Sequence, residues 1–268
     1  MKNTNEMPTL AELQLTPLPK EFNTLSGPLR YTMTNDALFH IVFEANPEAL
    51  KAFLCSLLHL IPEEITSVEV TNPIRFGSSI YAKNFVLDLR LLLNNQTVIN
   101  LEMQVEKLSF WKERSLGYLC RSFDNLNKGN DYLNTKPAVH VGILDFELFP
   151  EHPEFFSTYH LSNDITHQKY SDNFRLSVLQ LGHTELATEE DRFWQLDLWA
   201  QFFKADTWEE IQMLAEKKPY IFNAAKTIYR VTEDERVRQM CEAREEGEKH
   251  SEPSSYYIRW SCNKQMMH

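Results

Sequence analysis

The chain alternates between two hydrophobic periods. TNDALFHIVF (34–43) predicts a short helix that Thr34, Asn35 or Asp36 can cap, with Phe39 and Phe43 stacked at i, i+4. Asn46-Pro47 then opens a second helix, whose Leu50, Phe53, Leu54, Leu57 and Leu58 form one apolar stripe before Pro62 closes it. ITSVEVTN (65–72) is β-branched and alternating, as a strand is. Two strands, over about 85–93 and 97–105, flank the polar turn Asn94-Asn95-Gln96. FWKERSLGYLCRSFDNLNKG (110–129) returns to helical spacing and ends at Gly129, a suitable C-cap. KPAVHVGILDF (136–146) is almost continuously apolar, as a central buried strand would be, and FRLSVLQL (174–181) reads as a further strand. The order helix, strand, strand, strand, helix, strand predicts an α/β domain with a mixed sheet.

From residue 188 onward the period is helical: EEDRFWQLDLWAQFFKA, TWEEIQMLAEK, a segment over about 219–230, and the charged EDERVRQMCEAREEGEKH. Phe193, Trp194, Leu198, Trp199, Phe202 and Phe203 form an aromatic stripe expected in the core. The divisions expected are a proline-containing arm (1–30), an α/β domain (31–182), a helical C-terminal region (183–250) and a tail (251–268). The tail's change of composition fits either disorder or a frameshifted end.

Composition narrows the classes. Four scattered cysteines (Cys55, Cys120, Cys241, Cys262), with no CxxC or HExxH, argue against a disulfide scaffold or structural zinc. Neither a basic leader nor a long apolar run is present, so a cytoplasmic protein with no membrane partner is expected. The net charge of −11 opposes nucleic-acid binding over the whole surface. Residues 72–145 nevertheless carry nine Lys/Arg against seven Asp/Glu, so the middle of the chain would not repel a polyanion.

The hairpin raises a sharper question. A three-residue loop pairs 93 with 97 and so sets Asp88 opposite Glu102, roughly 5 Å apart at Cβ. A two-residue loop would send the two acids to opposite faces. Asparagine tolerates the left-handed conformations of the longer turn, which favours the first register. Two carboxylates so placed repel unless one is protonated or something positive sits between them. Mg²⁺ or another divalent cation answers that demand with oxygen ligands; Arg90 or Lys83 would answer it as a salt bridge.

The element order, with Asp88 on the second strand and Glu102-Met103-Gln104 on the third, resembles the PD-(D/E)XK nuclease superfamily, a restriction-endonuclease-like core. TNDALFHIVF, VINLEMQ, ERSLGYLCRSFDNLNKGNDY and KPAVHVGILDFELFP resemble more narrowly the Rpn family of recombination-promoting nucleases and transposases. The resemblance runs from about residue 32 to 248 and implies a Mg²⁺-dependent DNA endonuclease. It implies Asp88, Glu102 and the Met103 carbonyl as metal ligands, with Gln104 standing where the superfamily more often has lysine. Glutamine orients a water or phosphate but supplies no positive charge.

Arg114, Tyr118 and Arg121 recur at i, i+4, i+7 on the following helix, one face suited to a phosphate backbone. Arg114 is the candidate for the missing charge, against a plain salt-bridging role. Asp36, as a helix cap or a metal acid, and Glu48, as a first-turn residue or an auxiliary acid, complete the candidates. His59 and His140 lack ligand spacing and are expected to be structural or surface residues. The competing function is an inactive nuclease-fold protein that binds nucleic acid or a partner protein; a further reading has the C-terminal helices forming a homo-oligomer.

Overall fold

Asparagine starts both N-terminal helices. In the computed structural model, which describes residues 24–72, 88–126, 129 and 131–250 with side chains to 246, Asn35 caps α1 (Asp36–Ala45) by accepting from Leu38 N–H. Asn46 caps α2 (Pro47–Leu58) through Ala49 N–H, and α2 ends at His59 in the left-handed conformation. Of the three cap candidates, Asn35 therefore takes the role, and Asp36 is the first helical residue. The expected arm up to residue 23, Lys83 with the start of the first hairpin strand, and the tail from 251 lie outside the described residues.

Three antiparallel strands follow in part around the hairpin: β1 (Val68–Val70), β2 (Leu89–Leu93) and β3 (Thr97–Gln104). Helix α3 (Trp111–Phe123) then crosses to β4 (Ala138–Leu144), which pairs parallel with β3. β5 (Phe156–His160) and β6 (Phe174–Gln180) complete a mixed six-stranded sheet in the order β1-β2-β3-β4-β6-β5. The expected helix, strand, strand, strand, helix, strand order holds, and the fold is the restriction-endonuclease-like α/β class. α3 ends at Phe123 rather than Gly129, because Asn125 Nδ2 donates to the Ser122 and Lys136 carbonyls and turns the chain toward β4. β5 carried no strand expectation; it is a half-exposed edge strand of mixed residues, without a clean period.

The C-terminal helices are α4 (Glu189–Phe193), α5 (Leu196–Lys204), α6 (Trp208–Ala215), α7 (Pro219–Thr232) and α8 (Glu235–His250). Gln195, at φ +61°, breaks the expected long helix into α4 and α5. The aromatic stripe breaks with it: Leu198, Trp199, Phe202 and Phe203 are buried, whereas Phe193 is 75% exposed. Trp194 instead stacks on the His59 ring at 5.4 Å.

Strand alternation gives the sheet two unlike faces. Leu89, Leu91, Ile99, Leu101, Met103, Val139, Val141, Ile143 and Leu179 join one core with α1, α2 and the C-terminal helices. Phe39, Phe43, Phe53, Trp199 and Phe203 pack ring against ring in that core, at centroid distances of 4.9 to 6.1 Å. The opposite face carries Asp88, Asn100, Glu102, Gln104 and His140, and α3 packs across β3, β4 and β6. Among the described residues no helix is long and apolar enough to cross a membrane.

Candidate active site

The hairpin turn sets the register. Asn94 and Asn95 take φ of +51° and +57°, and Leu93 pairs with Thr97, so the three-residue loop is the one formed. The turn is anchored from behind: Asn94 Oδ1 accepts from Thr66 and Ser67 N–H, and its Nδ2 donates to the Glu64 carbonyl. Pairing continues to Leu89↔Leu101, which brings Asp88 opposite Glu102. Asn72, just past β1, grips this end of β2 by donating to the Asp88 carbonyl (2.6 Å) and accepting from Arg90 N–H (2.8 Å).

Both acids are buried, Asp88 at 6% and Glu102 at 2% exposure. Asn100 Nδ2 donates to Asp88 Oδ2 at 3.4 Å and lies 3.1 Å from His140 Nδ1. An amide that donates to a carboxylate must turn its NH₂ toward it, so His140 Nδ1 is the acceptor and the proton sits on Nε2. That Nε2 lies 3.5 Å from Glu102 Oε2, near it but without a formed hydrogen bond, so Asp88, Asn100, His140 and Glu102 lie side by side. Arg114 Nε approaches Glu102 Oε1 to 2.9 Å, an ion-pair contact in which the Nε–H is not aligned for a hydrogen bond. Neither Glu102 oxygen has a formed hydrogen bond among the described residues.

These surroundings shift the titrations. Burial, and then the nearby Asp88 charge, push Glu102 up to about 7 against the pull of Arg114. Burial likewise raises Asp88, although Arg114 and Asn100 oppose it. His140 is fully buried and pushed down to about 3, by burial and then by Arg114, so its ring is neutral at pH 7.

A close approach of helix to sheet puts α3 in place. Gly142 pairs with Glu102 in the ladder, and a Cβ there would lie 2.2 Å from Trp111 Cζ2. Only glycine lets the indole sit on the sheet at that point. With Trp111 seated, Ser115, Leu119 and Ser122 also face inward. One turn beyond Trp111, Arg114 reaches Glu102; one turn further, Tyr118 stacks on His140 at 5.9 Å. The Tyr118 ring also carries the guanidinium groups of Arg114 (5.2 Å) and Arg121 (5.9 Å).

The structure thus brings together Asp88, Glu102, Arg114, Tyr118 and Arg121. Gln104 shares the Glu102 face, and its Nε2 donates to the Glu106 carbonyl at 3.0 Å. Met103 turns its side chain into the opposite core. Its backbone groups face β2, because those of Val98 and Gln104 bond toward β4 and successive residues alternate. Asp36 carries a bidentate ion pair with Arg244 of α8, and its charge adds to those raising Asp88 and Glu102. Glu48 is exposed in the first turn of α2 and, among the described residues, makes no contact with the acid pair.

Asn100 and His140 are site residues that the sequence reading missed. His140 is buried and hydrogen-bonded to Asn100, in keeping with its structural expectation, and the parallel pairing Asn100↔His140 also places it beside the acids. The available signal was two polar residues inside apolar strands, each two positions from a residue of the site: Glu102 after Asn100, Gly142 after His140.

Among the described residues no three or more His, Cys, Asp or Glu side chains converge as a metal-ligand cluster; the acids stand as a pair. Comparison with curated proteins and with solved structures gives no match. A family model described as PD-(D/E)XK nuclease family transposase matches residues 33–253, a span that holds the sheet, α3 and every residue of the site. That match supports a nuclease-type function. With most of its length so matched, the chain belongs to the PD-(D/E)XK nuclease family of transposases.

Proposed function

We propose that the chain is a divalent-metal-dependent DNA endonuclease, with Mg²⁺ as the expected ion, that hydrolyses phosphodiester bonds. The observation that carries this reading is the buried pair Asp88 and Glu102, set opposite each other with the oxygens of Glu102 lacking formed hydrogen bonds. A hard cation suits this donor set: two carboxylates, the Met103 carbonyl on the side where Asp88 arrives, and waters for the remaining positions. When bound, it lowers the pKa of a coordinated water and offsets charge on the phosphate.

The chain's own residues do the rest. Asn100 orients Asp88 through its amide, and His140, hydrogen-bonded to Asn100, sets its ring beside Glu102. Arg114 supplies, from α3, the positive charge that Gln104 lacks. Gln104 is tied to Glu106 through Nε2 and keeps Oε1 as an acceptor for a water. Tyr118 and Arg121 continue the α3 face toward the DNA backbone. The catalytic unit is residues 31–182, and 183–250 is a helical buttress through which homo-oligomers would form.

Purified protein with plasmid DNA and Mg²⁺, beside Asp88→Ala and Glu102→Ala, tests the reading. The parent should nick or cut, and both variants should be silent; equal cleavage by all three would defeat it. Mg²⁺ at one hundred times its Kd should also stabilise the parent by about 2.7 kcal/mol, read as a rise in Tm absent from Asp88→Ala. An inactive parent whose Tm ignores Mg²⁺ would favour the second reading, an inactive binding protein.

A further inference from the structure

Beyond the acids, the α3-covered face continues toward the hairpin turn as a groove of about 300 Å³. Its apolar floor is Leu92 and Val98, a cross-strand pair on the same face as Asp88 and Glu102. Three cations line it: Arg90 from β2, Arg121 from the end of α3, and Lys136 from the approach to β4. Asp124 is the acid among the lining residues. Asn125 Nδ2 donates to the Ser122 and Lys136 carbonyls and so ties the end of α3 to the approach to β4 at this wall of the groove.

None of the three cations forms an ion pair among the described residues, whereas Lys204, Arg236 and Arg244 each hold a carboxylate. Arg121 has the Tyr118 ring at 5.9 Å, and Arg90 is exposed with its backbone fixed by Asn72 and Thr71. Three cations against one acid around an apolar floor make a locally basic groove in a chain of net charge −11, and Arg90 also acts electrostatically on Asp88. Such a groove suits an anion with an apolar body. A DNA strand has both parts, phosphates and sugars.

The position is specific. Arg90 lies two residues from Asp88 on the same strand and pairs with Asn100, the residue that bridges to the acid. Arg121 lies two turns beyond Arg114, about 10 Å along the helix, the rise of about three stacked nucleotides at 3.4 Å each. We propose that this groove binds the sugar–phosphate backbone of a DNA strand about three nucleotides from the cleaved bond, with phosphates at Arg90, Arg121 and Lys136. Naming DNA and the cleaved bond rests on the nuclease reading above; the basic groove itself does not. Phosphates there would be held alike in the ground and transition states, so the groove sets affinity and register rather than the chemical step.

The test is fluorescence anisotropy with labelled single-stranded and duplex DNA in EDTA, using the full chain, Arg90→Ala, Lys136→Ala and the double variant. Each lost phosphate contact should flatten the plot of log K against log[salt] by roughly 0.7 on a single strand or 0.9 on duplex, and the double variant by twice that. A flattening on either DNA supports the groove and identifies the form it holds. Arg90→Lys and Lys136→Arg should keep the parent slope, which preserves the test if an alanine variant fails to fold. Unchanged slopes in folded alanine variants overturn the proposal, as does an equal change in Lys217→Ala, an exposed residue just past α6 that does not line the groove. A parent that binds with these slopes but never cuts in Mg²⁺ defeats the nuclease reading and leaves the groove standing. Cleavage together with unchanged slopes does the reverse.

Discussion

The two faces of the sheet are built from the same strands and obey opposite rules. On one, odd-numbered residues of β2, β3 and β4 meet α1, α2 and the C-terminal helices in a core of buried aliphatic and aromatic side chains. On the other, the intervening residues put two carboxylates, an amide and an imidazole under a single helix. The first face contributes hydrophobic burial, and the second spends part of it on desolvated charge. The difference shows where this chain keeps its stability and where it keeps its chemistry: one residue along a strand separates them.

The largest effect should come from breaking the apolar face. Phe203 is fully buried against Phe39, Phe43, Phe53 and Trp199. Phe203→Ala should cost about 3–5 kcal/mol, measured by urea unfolding. A cost below about 1 kcal/mol would mean that the core is not the fold's main support.

The polar face should respond to pH in the opposite sense to an ordinary salt bridge. Glu102 stands near 7 in the folded protein against an ordinary 4.5. Between those values the folded chain holds a proton that the unfolded chain has released. Stability therefore falls as pH rises from about 4.5 to about 7 and levels off above, by roughly 3 kcal/mol in all. Thermal melts in EDTA should show this loss in the parent and little of it in Glu102→Gln. A variant with the parent's full slope would assign the effect to another group.

The smallest effect sharpens the boundary between the faces. Gly142→Ala would press its methyl into Trp111 and shift α3, costing about 1–3 kcal/mol. Because α3 carries Arg114 to Glu102, cleavage should fall by more than the lost stability explains. Retained cleavage with a lowered Tm would show that the position of Arg114 is not critical.

Much of this was legible beforehand because it is local. Turn length at Asn94-Asn95-Gln96 sets the hairpin register, and asparagine accepts the two positive φ angles that the turn needs. Helical spacing on α3 put Arg114, Tyr118 and Arg121 on one side. The failures were equally physical. Gly129 suits a cap by residue type, yet a side chain, Asn125, turns the chain earlier. Phe193 falls on the core side only if one helical period runs through Gln195, where the backbone breaks it.

His140 and Asn100 mark the limit of local reading. Their contact depends on which residue of β4 falls beside which residue of β3, a parallel register set across some forty residues and one crossing helix. The alternation of the strands, the pair of acids and the turn that joins them were determined by the sequence itself, since each depends on neighbours a few residues away. Which polar groups surround those acids, and which helix covers them, only the tertiary structure decided. A buried carboxylate takes its protonation from whatever packs against it, and here those neighbours arrive from distant parts of the chain.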